Sequence, residues 1–107
     1  MLNKQEYLLV KLAEECAEVA QQAAKALVFG VDEIQHDQPL TNAERIWQEF
    51  ADLCAIVGML QDEHVLPCGY TDKMRFREMV EEKREKVGRY MTVSRERGCL
   101  EEDSVSV

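Results

Sequence analysis

Two short runs of acid carry the chemistry this chain is equipped for: Glu14-Glu15-Cys16-Ala17-Glu18 and, further on, Glu49-Phe50-Ala51-Asp52. Each supplies two carboxylates three residues apart, Glu15 with Glu18 and Glu49 with Asp52. On a helix, residues at i and i+3 project from the same face, so each pair aims both acids at one point. Four carboxylates converging between two helices repel one another unless a cation lies among them. Hard oxygen donors of this kind suit Mg²⁺, which takes carboxylates, waters and substrate phosphates, with Mn²⁺ as a substitute.

The elements that must position these acids are helices. Residues 3 to 29 contain no Gly or Pro, are rich in Ala, Leu, Glu, Gln and Lys, and run up to Gly30, a residue suited to ending a helix. At about 100° per residue, Leu8, Leu9, Leu12, Cys16, Val19, Ala20, Ala23 and Leu27 form its apolar stripe, with Glu15 at the edge and Glu18 just beyond. Lys25 lies two turns past Glu18 on the same side. Residues 30 to 41, between Gly30 and the Pro39 region, read as a loop, long for a small domain. Thr41 and Glu44 match a capping box that opens a second helix over residues 42 to 63. There Ile46, Phe50, Leu53, Val57 and Leu60 make the stripe, with Trp47 and Cys54 on one flank and Glu49 and Asp52 on the other. Pro67 and Gly69 break the chain, and Thr71 is placed to cap a third helix running to about Met91. That helix is densely basic, with Lys73, Arg75, Arg77, Lys83, Arg84, Lys86 and Arg89, and Gly98 closes a last turn. The reading is therefore all-α, a helical hairpin plus a third helix, with one domain over residues 1–98 and a short, acidic, mobile tail over 99–107.

Composition narrows the function. The chain has 107 residues, 46% hydrophobic and 32% charged, with a net charge of −8. Nucleic acid and anionic membranes need a basic surface, so neither is expected as a partner. Lys4, Glu6 and Lys11 interrupt any secretory apolar run, and no apolar stretch nears the ~20 residues that span a bilayer, so a cytoplasmic protein is expected. Cys16, Cys54, Cys68 and Cys99 show no CxxC spacing and read as reduced, with Cys16 and Cys54 as packing residues. A core this small leaves apolar surface over, which favours self-association.

Any one E-x-x-E in a chain with 21 acids is commonly a solvated helix face. Two such pairs bordering the apolar stripes of adjacent helices are more specific. The order Glu14-Glu15-x-x-Glu18, then Glu49-x-x-Asp52, resembles the EExxE and ExxD hallmarks of the MazG-like nucleoside triphosphate pyrophosphohydrolases of the all-α NTP pyrophosphatase superfamily. Lys25, Phe29-Gly30, Gln38-Pro39-Leu40-Thr41-Asn42 and the basic helix from Lys83 to Gly98 are similar to small stand-alone, often phage-type members. The match covers most of residues 5 to 98. It implies Glu15, Glu18, Glu49 and Asp52 as Mg²⁺ ligands and Glu14 as an acid that orients water, making Glu14 and Glu15 the catalytic pair. It further implies a (d)NTP substrate cleaved to monophosphate and pyrophosphate, and a homodimer or homotetramer built on a four-helix-bundle-type core. Lys25, Lys83 and Lys86 would take phosphate charge and Asn42 would contact the nucleotide.

Structural readings stand beside these. A lysine on a helix is ordinarily a solvated charge, Asn42 falls in a helix's first turn, and Trp47 suits a core or interface as well as a base. Glu33-Ile34-Gln35-His36 has the E-x-x-H spacing of di-iron bundles but occurs once, in a loop. The contrasting function is a non-catalytic acidic helical module that binds a partner through its apolar stripes.

Overall fold

The computed structural model describes residues 1–67 and 73–103 and divides into two compact units, Met1–Cys68 and Gly69–Val107. The first is a hairpin of α1 (Lys4–Phe29) and α2 (Asn42–Asp62); the second holds α3 (Lys73–Glu96). No strand occurs among the described residues, so the expected all-helical class holds. No helix among them is long and apolar enough to cross a membrane.

Each end of the hairpin helices is closed by local chemistry. Asn3 accepts the Glu6 amide at 2.8 Å while Glu6 accepts the Asn3 amide at 3.2 Å, a capping box at the expected first residue, so that α1 proper begins one residue later. Thr41 and Glu44 make the expected box at 3.1 Å in both directions. Gly30, at φ 103°, ends α1 in a backbone conformation that a side chain would resist. The connection after it is more ordered than a plain loop. Val31 and Glu33 carbonyls accept the Ala43 and Asn42 amides, both at 2.9 Å, and Ile34 pairs with Thr41 in an antiparallel bridge. At the far end of α2, His64 at φ 58° turns the chain so that the Val65 amide reaches the Leu60 carbonyl at 2.9 Å.

The α1–α2 seam differs from the stripes expected of the separate helices. The line of contact runs through Leu8, Leu12, Glu15, Val19, Gln22 and Ala26 on α1, and Asn42, Ile46, Glu49, Leu53, Ile56 and Leu60 on α2, with Lys11, Lys25, Arg45 and Val57 among the residues half-buried beside it. Both sets alternate steps of four and three, the repeat by which two helices keep one narrow seam in contact. Glu15 and Glu49 therefore lie within the seam and not at its border. Leu9, Cys16, Ala20, Ala23, Leu27, Phe50 and Cys54 are exposed in the single chain, so the cysteines do not pack as expected. A two-helix seam covers too narrow an arc of each helix to bury the whole apolar stripe.

Register is pinned at both ends. Lys4 pairs with Glu63 where α1 begins, and Gln22 donates its side-chain amide to Asn42 Oδ1 at 3.3 Å near the connection. The Asn42 amide donates in turn to the Gly30 carbonyl at 2.8 Å.

In the second unit α3 runs five residues past Met91, and none of its described residues is buried. Gly98, at φ 75°, ends it, with the Cys99 amide reaching the Ser94 carbonyl at 2.8 Å. Arg95 then clasps the start of the tail, donating to the Glu101 carbonyl at 3.2 Å and to Asp103 Oδ1 at 2.6 Å. These bonds tie Glu101 and Asp103 to α3, and residues 104–107 of the expected tail lie outside the described residues. The expected cap Thr71, with Gly69 and Cys68, lies outside the described residues.

Candidate metal centre

α1 carries Glu15 at a seam position and Glu18 one turn later on the flank; α2 brings Glu49 to the seam from the other side. Glu15, Glu18 and Glu49 each offer a carboxylate oxygen, and these oxygens lie within 4.8 Å of one another. Glu15 and Glu49 are half-buried, and the Oε2 atom of each is cut off from water with no hydrogen-bond partner. A buried carboxylate oxygen left unpaired is costly, and two in one cluster more so.

The electrostatics follow from that crowding. Burial pushes the Glu49 carboxyl above its ordinary value of 4.5, and the acids Glu18, Asp52 and Glu15 push it further the same way. Glu15 is raised by burial first, then by the charges of Glu18 and Asp52, with Lys11 opposing. Asp52 stands outside the set whose oxygens converge, yet its charge is felt by both seam glutamates. Oxygen-only donors, two of them unpartnered and with the Glu15 and Glu49 carboxyls raised above their ordinary value, fit a hard divalent cation.

The other candidate residues are distributed unevenly. Glu14 is exposed and paired with Lys11 at 3.0 Å, outside the converging set. Lys25 is half-buried on α1, seven residues past Glu18 and so on the same flank. Asn42 is fully buried, and its side chain bonds Gln22 and the Gly30 carbonyl. That position gives it a structural role at the hairpin's closed end. Lys83 and Lys86 are exposed on α3, beside Arg75, Met79 and Glu82 along one shallow groove, and Lys86 Nζ lies 5.8 Å from the Tyr90 ring centre. His36 is almost wholly exposed beside Asp37, so the lone E-x-x-H forms no site.

Sequence reasoning passed over Gln22, the buried partner of Asn42. Its signal was available in the four-three spacing through Glu15, Val19 and Gln22, which a broad apolar stripe obscures. Comparison of the chain with models of known protein families, with curated proteins and with solved structures found no match.

Proposed function

We propose that this chain is a divalent-metal-dependent nucleoside triphosphate pyrophosphohydrolase of the MazG-like kind, acting on NTPs or dNTPs to give the monophosphate and pyrophosphate. The observation that carries this reading is the pair of buried, unpartnered carboxylate oxygens on Glu15 and Glu49, within a cluster completed by Glu18. A fold has no structural use for such a group, and a cation relieves it.

Glu15, Glu18 and Glu49 would hold Mg²⁺, with Asp52 adding charge from the next turn of α2. A bound Mg²⁺ supplies neutralisation of phosphate oxygens and a water of lowered pKa. The chain's own residues do the rest. The seam glutamates fix the site on two rigid helices pinned at both ends, which keeps the carboxylates oriented without substrate. Glu14 is the acid nearest in sequence that remains exposed, and it suits orienting the attacking water once Lys11 releases it. Lys25, Lys83 and Lys86 suit the leaving pyrophosphate as electrostatic groups. Asn42 is withdrawn from the substrate contacts because its side chain is engaged within the hairpin.

The same reading includes a homo-oligomer with a four-helix-bundle-type core. It is supported by the large apolar side chains that one hairpin leaves in water, among them Leu27, Trp47 and Phe50. Those side chains equally favour a non-catalytic module, so the test must separate the two. A pyrophosphate-release screen over the common NTPs and dNTPs with Mg²⁺ is expected to find turnover, and Mg²⁺ or Mn²⁺ alone should raise the melting temperature. Neither effect is expected of a module that only binds a protein.

A further inference from the structure

α3 carries a contact line of its own. Phe76, Val80, Lys83, Val87, Tyr90 and Ser94 follow one another by alternating steps of four and three, the same repeat that runs through the α1–α2 seam. The four large apolar side chains on this line stay in water, with Phe76 64% and Tyr90 57% exposed. α1 and α2 spend their own four-three lines on each other, which leaves no helix among the described residues with a matching line free.

Charge is sorted around the line. Lys83 stands within it, and Arg77, Arg84 and Lys86 stand immediately beside it. The acids Glu78, Glu81, Glu82, Glu85 and Glu96 all fall on the back of the helix, about a third of a turn or more away at ~100° per residue. Glu78 and Glu82 hold Arg75 there, at 3.4 Å and 3.2 Å. Among the described residues Lys83 and Lys86 make no ion pair, and Arg84 comes within 3.8 Å of Glu81. The apolar line thus presents cations and no acid.

We propose that this line binds an amphipathic helix of another protein, one with carboxylates along both flanks of its apolar line and one within it opposite Lys83. Charge complementarity selects that occupant. A second α3 is excluded by like charge, since Lys83 would lie on the shared line and Arg77, Arg84 and Lys86 would face their own kind. An anionic bilayer takes a broad apolar face, whereas this one is a single residue wide and interrupted by a lysine. An acidic helix meets both features, apolar against apolar and carboxylate against cation. Residues 76–94 give roughly 27 Å of line at ~1.5 Å per residue, room for about five turns of a partner. The inference is independent of the proposed hydrolysis. A helix seated here would cover Lys83 and Lys86, and so compete with a triphosphate for them.

The test uses the full chain and a fluorescent peptide of about four heptads, with Leu on its contact line, one Glu at the middle of that line and Glu along both flanks. Anisotropy is read without nucleotide or metal, so the result stands apart from pyrophosphate release. Wild type is expected to bind this peptide about tenfold or more tightly than a scrambled peptide of the same composition, or one whose Glu residues are Lys. Val80→Gln with Val87→Gln keeps the charge and the helix, and should weaken binding by about tenfold or more. Lys83→Glu, Arg84→Glu and Lys86→Glu together should reverse the preference toward the lysine peptide. Equal binding of the ordered and scrambled peptides would overturn the inference, leaving charge attraction alone. So would a lower melting temperature or a changed mass of the Val80→Gln, Val87→Gln variant without peptide, because the chain or another copy of it would then already cover the line.

Discussion

Glu15 and Glu49 occupy seam positions where a leucine would pack, and each keeps one oxygen out of water without a partner. Folding therefore favours their neutral forms. Because both carboxyls are raised above 4.5, the native state holds protons that the unfolded chain releases. Their contribution to stability is complete below the unfolded value and is lost as pH rises through the raised values. Metal-free protein should then melt at a higher temperature near pH 5 than near pH 7, and saturating Mg²⁺ should flatten that slope. Glu44 acts in a separate window: bonds from Thr41 lower its carboxyl, so its contribution is lost only as pH falls below the ordinary range. Glu49→Gln should raise the metal-free melting temperature at pH 7 and remove much of the slope between pH 5 and 7. An unchanged slope would show that the cluster is not the source. Glu15→Gln and Asp52→Asn should abolish pyrophosphate release with the fold intact; turnover retained in both would remove them from the site.

At the scale of the elements, the connection between α1 and α2 depends on Asn42. It is fully buried, accepts from Gln22 and donates to the Gly30 carbonyl, tying the end of α1 to the start of α2. Asn42→Ala leaves both partners unsatisfied in a dry position, a loss of about 1–3 kcal/mol by the usual cost of such groups. Urea denaturation should show the midpoint falling with little change in slope, and a shift within error would mean that water replaces the amide. The extents of α1 and α2 and the Thr41 box were legible in the sequence, because they rest on local chemistry and on helical period. The seam itself was not. A single helix shows its whole apolar stripe, whereas the two-helix contact selects a narrower line rotated toward Glu15 and Gln22. Only the partner helix makes that choice, so Phe50 and Cys16 read as buried and stand exposed.

Over the whole molecule, charge is divided between the units. Residues 1–68 carry the entire excess of acid, while α3 alone holds eight basic and five acidic residues. A triphosphate approaching the hairpin meets repulsion from most of its surface, and a bound divalent ion offsets only part of it. In the proposed reading the remaining field comes from the chain's other cations, of which α3 holds the most. Arg75 is not free for this role, being paired with Glu78 at 3.4 Å and Glu82 at 3.2 Å, and Arg95 is clasped by the tail. Arg84 lies 3.8 Å from Glu81. Lys83 and Lys86 sit one turn apart along the groove they share with Met79, which makes them the best candidates to hold phosphate oxygens. If they do, Lys83→Ala and Lys86→Ala should each lower kcat/KM for a triphosphate by about 5- to 150-fold, equivalent to roughly 1–3 kcal/mol of transition-state stabilisation. Mg²⁺ affinity measured without nucleotide should stay the same, because the metal ligands are untouched. The loss should shrink as salt rises, since screening weakens an exposed charge contact. A double variant with wild-type rates at low salt would return both lysines to the class of solvated helix charges. It would leave the hairpin's Lys25 as the remaining candidate among those named for the leaving pyrophosphate.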